Sequence, residues 1–133
     1  MTGMAVPLND LAVRLVDQST FAVVSTVNPD GAPQASVVWV RRDGDDILFS
    51  TIRGRRKTRN MERDPRVSVT LYDPDDPYRY VEVRGTVTLT EVGGRELIEE
   101  LSRKYDGVPF HVERPEIIRV VCRVTPVRLT GKD

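Results

Sequence analysis

The sequence predicts a mainly β domain, a six-stranded antiparallel barrel, closed or half-closed, with short helices at its ends. Three observations carry that expectation. The runs Arg66–Tyr72 (RVSVTLY) and Tyr78–Thr90 (YRYVEVRGTVTLT) alternate apolar and polar residues with the period of a half-buried strand. Asn28-Pro29-Asp30-Gly31 and Asp43-Gly44-Asp45 separate neighbouring apolar runs with strong turn chemistry. Gly85 falls in the middle of the thirteen-residue run 78–90, where a bulge or sharp bend allows a sheet to curl closed.

In chain order, Asn9 or Asp10 caps a short helix whose Leu11, Leu15 and Val16 form one stripe, ending near Asp17-Gln18-Ser19. Phe21–Val27 (FAVVSTV) is β-branched and leads through the Asn-Pro-Asp-Gly turn into a returning strand, Pro33–Arg41 (PQASVVWVR). The strand Ile47–Thr51 follows, so the first three strands are expected to form a meander. Ser50–Asp64 continues with helical character until Asp64-Pro65, where proline disfavours α geometry in the residue before it. After Arg66–Tyr72 an acidic turn, Asp73-Pro74-Asp75-Asp76-Pro77, precedes the long strand. Gly94–Tyr105 reads as another helix, and Ile117–Leu129 as a last strand broken near Pro126.

A chain of 133 residues without repeat, linker or low-complexity tract makes one domain, 1–133. Twenty basic residues balance twenty acidic ones, which argues against non-specific nucleic-acid binding as the main role. The N-terminal MTGMAVPLNDLAVRL interrupts its apolar residues with Asn9, Asp10 and Arg14, so neither a signal peptide nor a membrane span is expected; a cytoplasmic location and no membrane partner follow. The single cysteine, Cys122, lies in an apolar β run, has no disulfide partner and is expected to be buried. The single histidine, His111, sits in a Pro-rich loop without a placed Ser, Cys or acid, so no catalytic residue is assigned. No metal ligand is assigned either, because Asp73, Asp75 and Asp76 lack the glycine and terminal glutamate of a calcium loop and read as a solvated turn.

The informative stretch is Ser50–Asp64, STIRGRRKTRNMERD. From Arg53 to Arg66 seven basic residues (Arg53, Arg55, Arg56, Lys57, Arg59, Arg63, Arg66) stand against Glu62 and Asp64. Strand, hydroxyl-glycine turn and cationic helix start follow one another, an arrangement in which backbone donors, helix dipole and side-chain charge add at an anion. A solvated basic helix is the other reading of the same residues. If the stretch is a site, it binds an organic anion and leaves the chemistry to a cofactor.

FAVVSTVNPDGAPQASVVWV followed by STIRGRRKTRNMERDPRVSVTLYD resembles the pyridoxamine 5′-phosphate oxidase-like superfamily, and more narrowly its deazaflavin-dependent reductases, over Leu11–Leu129. The hairpin combined with the R-x-K-T-R-N-hydrophobic-x-x-D-P-R-V segment is the selective part. The resemblance implies a split β-barrel of the FMN-binding type, working as a homodimer with cofactor in a groove between subunits. By motif position it implies that Arg55 and Lys57 hold the cofactor phosphate, that Asn60 supports it from the same helical face, and that Ser50 and Thr51 offer hydroxyls nearby. Ser25, Thr26 and Val27 with Ser36, Val37 and Val38 would line the ring. Trp39 is core or a ring neighbour, and Tyr78 and Tyr80 either pack in their strand or reach across from the other subunit.

The chain departs from the parent oxidase in length, with Arg128-Leu129 followed only by TGKD, which argues against vitamin B6 oxidation. The expected function is therefore an oxidoreductase moving a hydride between reduced coenzyme F420 and a small conjugated acceptor. FMN is the alternative cofactor, in a pyridoxamine 5′-phosphate oxidase-like flavoprotein. A non-catalytic F420- or flavin-binding protein would have the same sequence features. The deazaflavin carries an anionic glutamate tail besides its phosphate, for which Arg53, Arg56 and Arg59 are the surplus cations.

Overall fold

The computed structural model describes residues 3–133. Its elements are α1 (Asp10–Asp17), β1 (Ala22–Val27), β2 (Pro33–Val38), β3 (Arg41–Asp43), β4 (Asp46–Ile52), α2 (Arg56–Arg63), β5 (Arg66–Asp73), β6 (Asp76–Thr90), α3 (Gly94–Tyr105) and β7 (Arg119–Lys132). All pairings are antiparallel, in one sheet of order β2-β1-β5-β6-β7-β4-β3. The expected fold class holds, with one strand more than the six expected.

The extra strand exposes a correction. The returning strand does not run from Pro33 to Arg41 and does not pair with the next one, so the three-stranded meander is absent. Only Trp39 and Val40 connect β2, at one end of the strand order, to β3, at the other. Two residues cannot span an open seven-stranded sheet, so the sheet curls until its edges nearly meet. The interruption has a physical cause. Val40 N–H donates to the Tyr105 hydroxyl (3.1 Å), and Val40 C=O accepts from Lys104 Nζ (2.7 Å). Side chains from the end of α3 thus take the backbone groups that a neighbouring strand would otherwise pair. Tyr105 also donates to Thr20 C=O (2.7 Å) and Lys104 to Val16 C=O (2.5 Å), which pins the ends of α1 and α3 to this crossing. Burial lowers the Lys104 pKa to about 8.

Inward-facing residues of β1, β4, β5, β6 and β7 fill the barrel with Val24, Phe49, Val69, Leu71, Val81, Val83, Val120 and Val124. Leu11, Ala12, Leu15 and Val16 of α1 extend this core, and Asn9 caps their helix by accepting from Ala12 N–H at 2.8 Å. Cys122 is buried here, and desolvation pushes its thiol up to about 12. A smaller cluster packs Leu97 and Leu101 of α3 against Leu48 and Val121, with Trp39 and Tyr105 at its margin. The barrel interior is therefore side chain, and any ligand site lies on the outside.

Gly85 does mark the bend. Arg84 pairs with Arg128 and Gly85 with Pro126, so Val127 is the extra residue of a bulge on β7. The last strand is bulged there, not broken as expected, because the proline that cannot donate to a ladder sits beside the irregularity. A Cβ on Gly85 would lie 2.3 Å from Thr125 O. Gly85→Ala should accordingly cost on the order of 1–3 kcal/mol of stability, seen as a lower urea midpoint; an unchanged midpoint would mean that the bend tolerates a side chain.

Candidate functional site

The site is built where β4 runs into α2. Gly54 takes φ +96°, a conformation that favours glycine, and turns the chain so that Arg55 N–H reaches Ile52 C=O (3.2 Å) and Arg55 becomes the helix N-cap. The first turn of α2 contains no acidic residue, so its free N–H groups and dipole face Arg55, Arg56 and Lys57 without a compensating carboxylate.

Hydrogen bonds fix the helix on two sides. Thr58 Oγ1 donates to Ile52 C=O (2.7 Å) and lies 2.9 Å from Thr51 Oγ1, which bolts α2 to β4. On the other side Asn60 Nδ2 donates to Thr26 Oγ1 and to Asn28 Oδ1, each at 2.9 Å, while Thr26 Oγ1 donates to Gln34 Oε1 (2.6 Å). Arg63 donates to Asn60 Oδ1 (3.3 Å) and to Val27 C=O. The helix is thus bonded to both strands of the first hairpin and cannot turn about its axis without breaking a buried network.

That orientation buries Lys57. Its residue is 8% exposed, and Nζ donates to Ser36 Oγ at 3.2 Å. No acidic partner pairs with it among the described residues. An ammonium has three hydrogens, so one neutral hydroxyl leaves it under-satisfied. Burial, and then the positive charge of Arg55, lower the Lys57 pKa. An anion beside Lys57 and Arg55 would oppose both effects by favouring the charged ammonium.

Lys57 and Arg55 open onto a cleft of about 170 Å³ lined also by Ser50, Val37, Val38, Trp39, Phe21, Ile98 and Leu101. The residues brought together as expected are thus Ser50, Arg55, Lys57, Val37 and Val38, with Ser36 joined through Lys57. Thr51, Thr26 and Asn60 are fully or almost fully buried and bonded to protein partners, so they hold the helix that carries Lys57. Ser25, Thr26 and Val27 line a separate groove of about 220 Å³ with Pro33, Arg66, Ser68 and Arg84. Arg56 lines an open groove with Asn28, Pro29 and Asp30, and Arg59 is exposed. Tyr78 is 80% exposed and lines none of these grooves within one protomer.

Of the other basic residues in the stretch, Arg53 pairs with Glu62 (2.9 Å) and Glu91 (3.1 Å), and Arg66 with Asp64 (2.7 Å). Arg53 is therefore no surplus cation. Sequence reasoning also missed Phe21, Ile98 and Leu101, whose apolar character reads as core. Trp39 packs against the smaller core cluster, stacked on Tyr105 (5.5 Å between ring centres, 13°), and also lines the cleft.

The sequence pattern of pyridoxamine 5′-phosphate oxidase matches residues 8–132. The chain belongs to the pyridoxamine 5′-phosphate oxidase family. Within this family's fold it is similar to a solved structure described as an F420 reductase, at 32% identity over 88% of this chain and 94% of that one, with a TM-score of 0.80. It is also similar to a conserved hypothetical protein of Mycobacterium tuberculosis (23% identity, 97% and 88% covered, TM-score 0.74). An FMN-binding protein related to pyridoxamine 5′-phosphate oxidase, from Nostoc punctiforme, shares the fold at 16% identity (84% and 72% covered, TM-score 0.66). Among the described residues no helix is long and apolar enough to cross a membrane.

Proposed function

We propose that the protein is an F420-dependent oxidoreductase that transfers a hydride between the reduced deazaflavin coenzyme and a small conjugated organic acceptor in the cytoplasm. The carrying observation is Lys57, a buried ammonium with one hydroxyl partner, set beside Arg55 at the start of α2. The similarity to an F420 reductase at 32% identity supports the choice of coenzyme.

The residues present fit a phosphate-bearing cofactor. Lys57 and Arg55 would hold its phosphate, and the first N–H groups of α2 would add backbone donors. Val37, Val38, Phe21 and Trp39 would present an apolar wall to the ring and exclude water from one side. When bound, the deazaflavin ring supplies the hydride chemistry, so no protein acid, base or nucleophile is required. Spectra and mass of the cofactor that co-purifies test the assignment, followed by titration with F420 and FMN. Binding of neither, with a folded protein, would reject it. Binding of F420 without turnover of any conjugated acceptor would leave a carrier protein.

The reading includes a homodimer. At about 170 Å³ the cleft is smaller than the ~300–1,000 Å³ usual for ligand pockets, so a second wall is needed to enclose a tricyclic ring. The outward face of β2, β1, β5 and β6 offers a surface for a second copy. Val37 (64% exposed) and Phe21 (57%) stand on it beside the exposed Tyr72 and Tyr80, and both also line the cleft. Light scattering at micromolar concentration should report a dimer, and Val37→Glu should yield monomers that bind F420 at least tenfold more weakly, a loss of about 1.4 kcal/mol or more. A monomeric wild type with tight F420 binding would exclude the shared groove.

A further inference from the structure

One charged cluster touches the cleft from behind and has no part in the reading above. Arg119 opens β7 opposite Ile52 of β4. Its Nε and Nη2 donate to Glu113 Oε1 (2.9 Å) and Oε2 (3.0 Å), a bidentate pair whose side chains are 9% and 7% exposed. The Phe110 ring lies 5.0 Å from the guanidinium. The remaining nitrogen, Nη1, donates to Ser50 Oγ at 3.3 Å.

This contact uses the Ser50 hydroxyl as an acceptor. A hydroxyl has one hydrogen, and since Ser50 Oγ accepts from Arg119, that hydrogen is free to donate elsewhere. The cleft side chains beside Ser50 that carry charge, Arg55 and Lys57, are donors only, so neither can receive it. Ser50 thus presents a donor to a cleft that already holds two cations. Glu113 in turn fixes Arg119 with fork-to-fork geometry that lysine could not reproduce. Glu113 belongs to the irregular segment between α3 and β7, which α3 holds through Glu99 to Phe110 N–H (2.9 Å) and Ser102 to Val108 C=O (2.8 Å).

We propose that Arg119, clamped by Glu113, is a positioning residue that turns Ser50 into a hydrogen-bond donor for the phosphate of the ligand in the cleft. This rests on the phosphate reading of that cleft. It makes Ser50 a specificity-determining contact and extends the site to the 106–118 segment.

The test compares FMN with riboflavin, which has the same ring and no phosphate, by quenching of flavin fluorescence. In the wild type, Ser50→Ala and Arg119→Lys should each weaken FMN binding by about tenfold, the loss of one charge-assisted hydrogen bond, with riboflavin affinity unchanged. In the Ser50→Ala background Arg119→Lys should cost nothing further, because the two act through one hydrogen bond. An Arg119 effect that persists without Ser50, or that weakens both flavins equally, would overturn the assignment. Should Arg119→Lys unfold the protein because buried Glu113 loses its partner, the paired variant Arg119→Gln/Glu113→Gln removes both charges and must show the same FMN-selective loss. Lys57→Ala separates the two claims. FMN loss there without loss in Arg119→Lys refutes the positioning role alone, whereas no FMN loss in Lys57→Ala refutes the phosphate site itself.

Discussion

Lys57→Ala is expected to weaken binding of the phosphate-bearing cofactor by about ten- to a hundredfold, the equivalent of one charge-assisted hydrogen bond of ~1.5–3 kcal/mol. The fold should not suffer. Lys57 is buried with one neutral partner, so its removal relieves a desolvation cost and the melting temperature should hold or rise. A side chain that served mainly to stabilise α2 would give the opposite pair of results. The pH dependence adds a second signature. In the free protein the Lys57 pKa is lowered from the ordinary 10.5, first by burial and then by Arg55. Anion binding favours the ammonium, so affinity should fall as pH rises through that lowered pKa, with proton uptake on binding. The stability term has the opposite slope: between the lowered pKa and 10.5 the unfolded chain binds more protons, so stability rises with pH in that window. Arg55→Ala should cause a comparable loss of affinity without altering proton uptake as strongly. Calorimetry in buffers of different ionisation enthalpy reads both quantities, and equal cofactor affinity for mutant and wild type would reduce the stretch to a solvated charge run.

The barrel was legible in the sequence because its evidence is local. Strict alternation in Arg66–Tyr72 and the alternation from Val81 to Leu89 indicate which residues face inward, and Gly85 announces the bend at which Val127 is later found bulged. The crossing at Trp39-Val40 was not legible, because the partners that interrupt the strand are Lys104 and Tyr105, more than sixty residues away. The apolar run Val37-Val38-Trp39-Val40 reads as uninterrupted strand, and nothing nearby shows that the backbone groups of Val40 are claimed by a helix.

The site was legible by residue type and less so by role. A hydroxyl or amide near a basic helix start suggests a ligand contact, yet the sequence does not state which donors already have protein partners. Asn60, Thr26 and Thr51 occur where the motif places them, but the first two are engaged between α2 and the first hairpin and the third with Thr58. Lys57 and Ser50 differ from them in having capacity left over. Arg119 and Glu113 carried no signal at all, since a charge pair in a Pro-rich segment looks like surface until the fold buries it.

The largest change in selectivity is expected from Arg56→Glu combined with Arg59→Glu. Both residues are exposed on α2, Arg59 opposite Lys57 and Arg56 one turn before Asn60, and neither has an acidic partner among the described residues. Arg53, the third cation that charge count alone offered, is held between Glu62 and Glu91 and cannot serve without breaking two ion pairs. Arg56 faces an open groove formed with Asn28, Pro29 and Asp30, and on the proposed reading the anionic tail runs past Arg56 and Arg59. F420 should therefore bind more tightly than FMN, and shortening its glutamate tail should lower affinity in steps that vanish at high salt, as contacts between exposed charges do. The double reversal should erase most of that preference, roughly a tenfold loss for F420 since each exposed pairing is worth up to about 1 kcal/mol, and leave FMN nearly unchanged. On the proposed reading FMN should be spared, because its phosphate contacts would be Arg55 and Lys57, which the double variant leaves in place. The chemistry gives an independent check. With a deazaflavin bound, reduced coenzyme should persist in air until a conjugated acceptor is added, and no peroxide should form. Tighter binding of FMN, with rapid peroxide production on reduction, would replace the F420 assignment with a flavin oxidase.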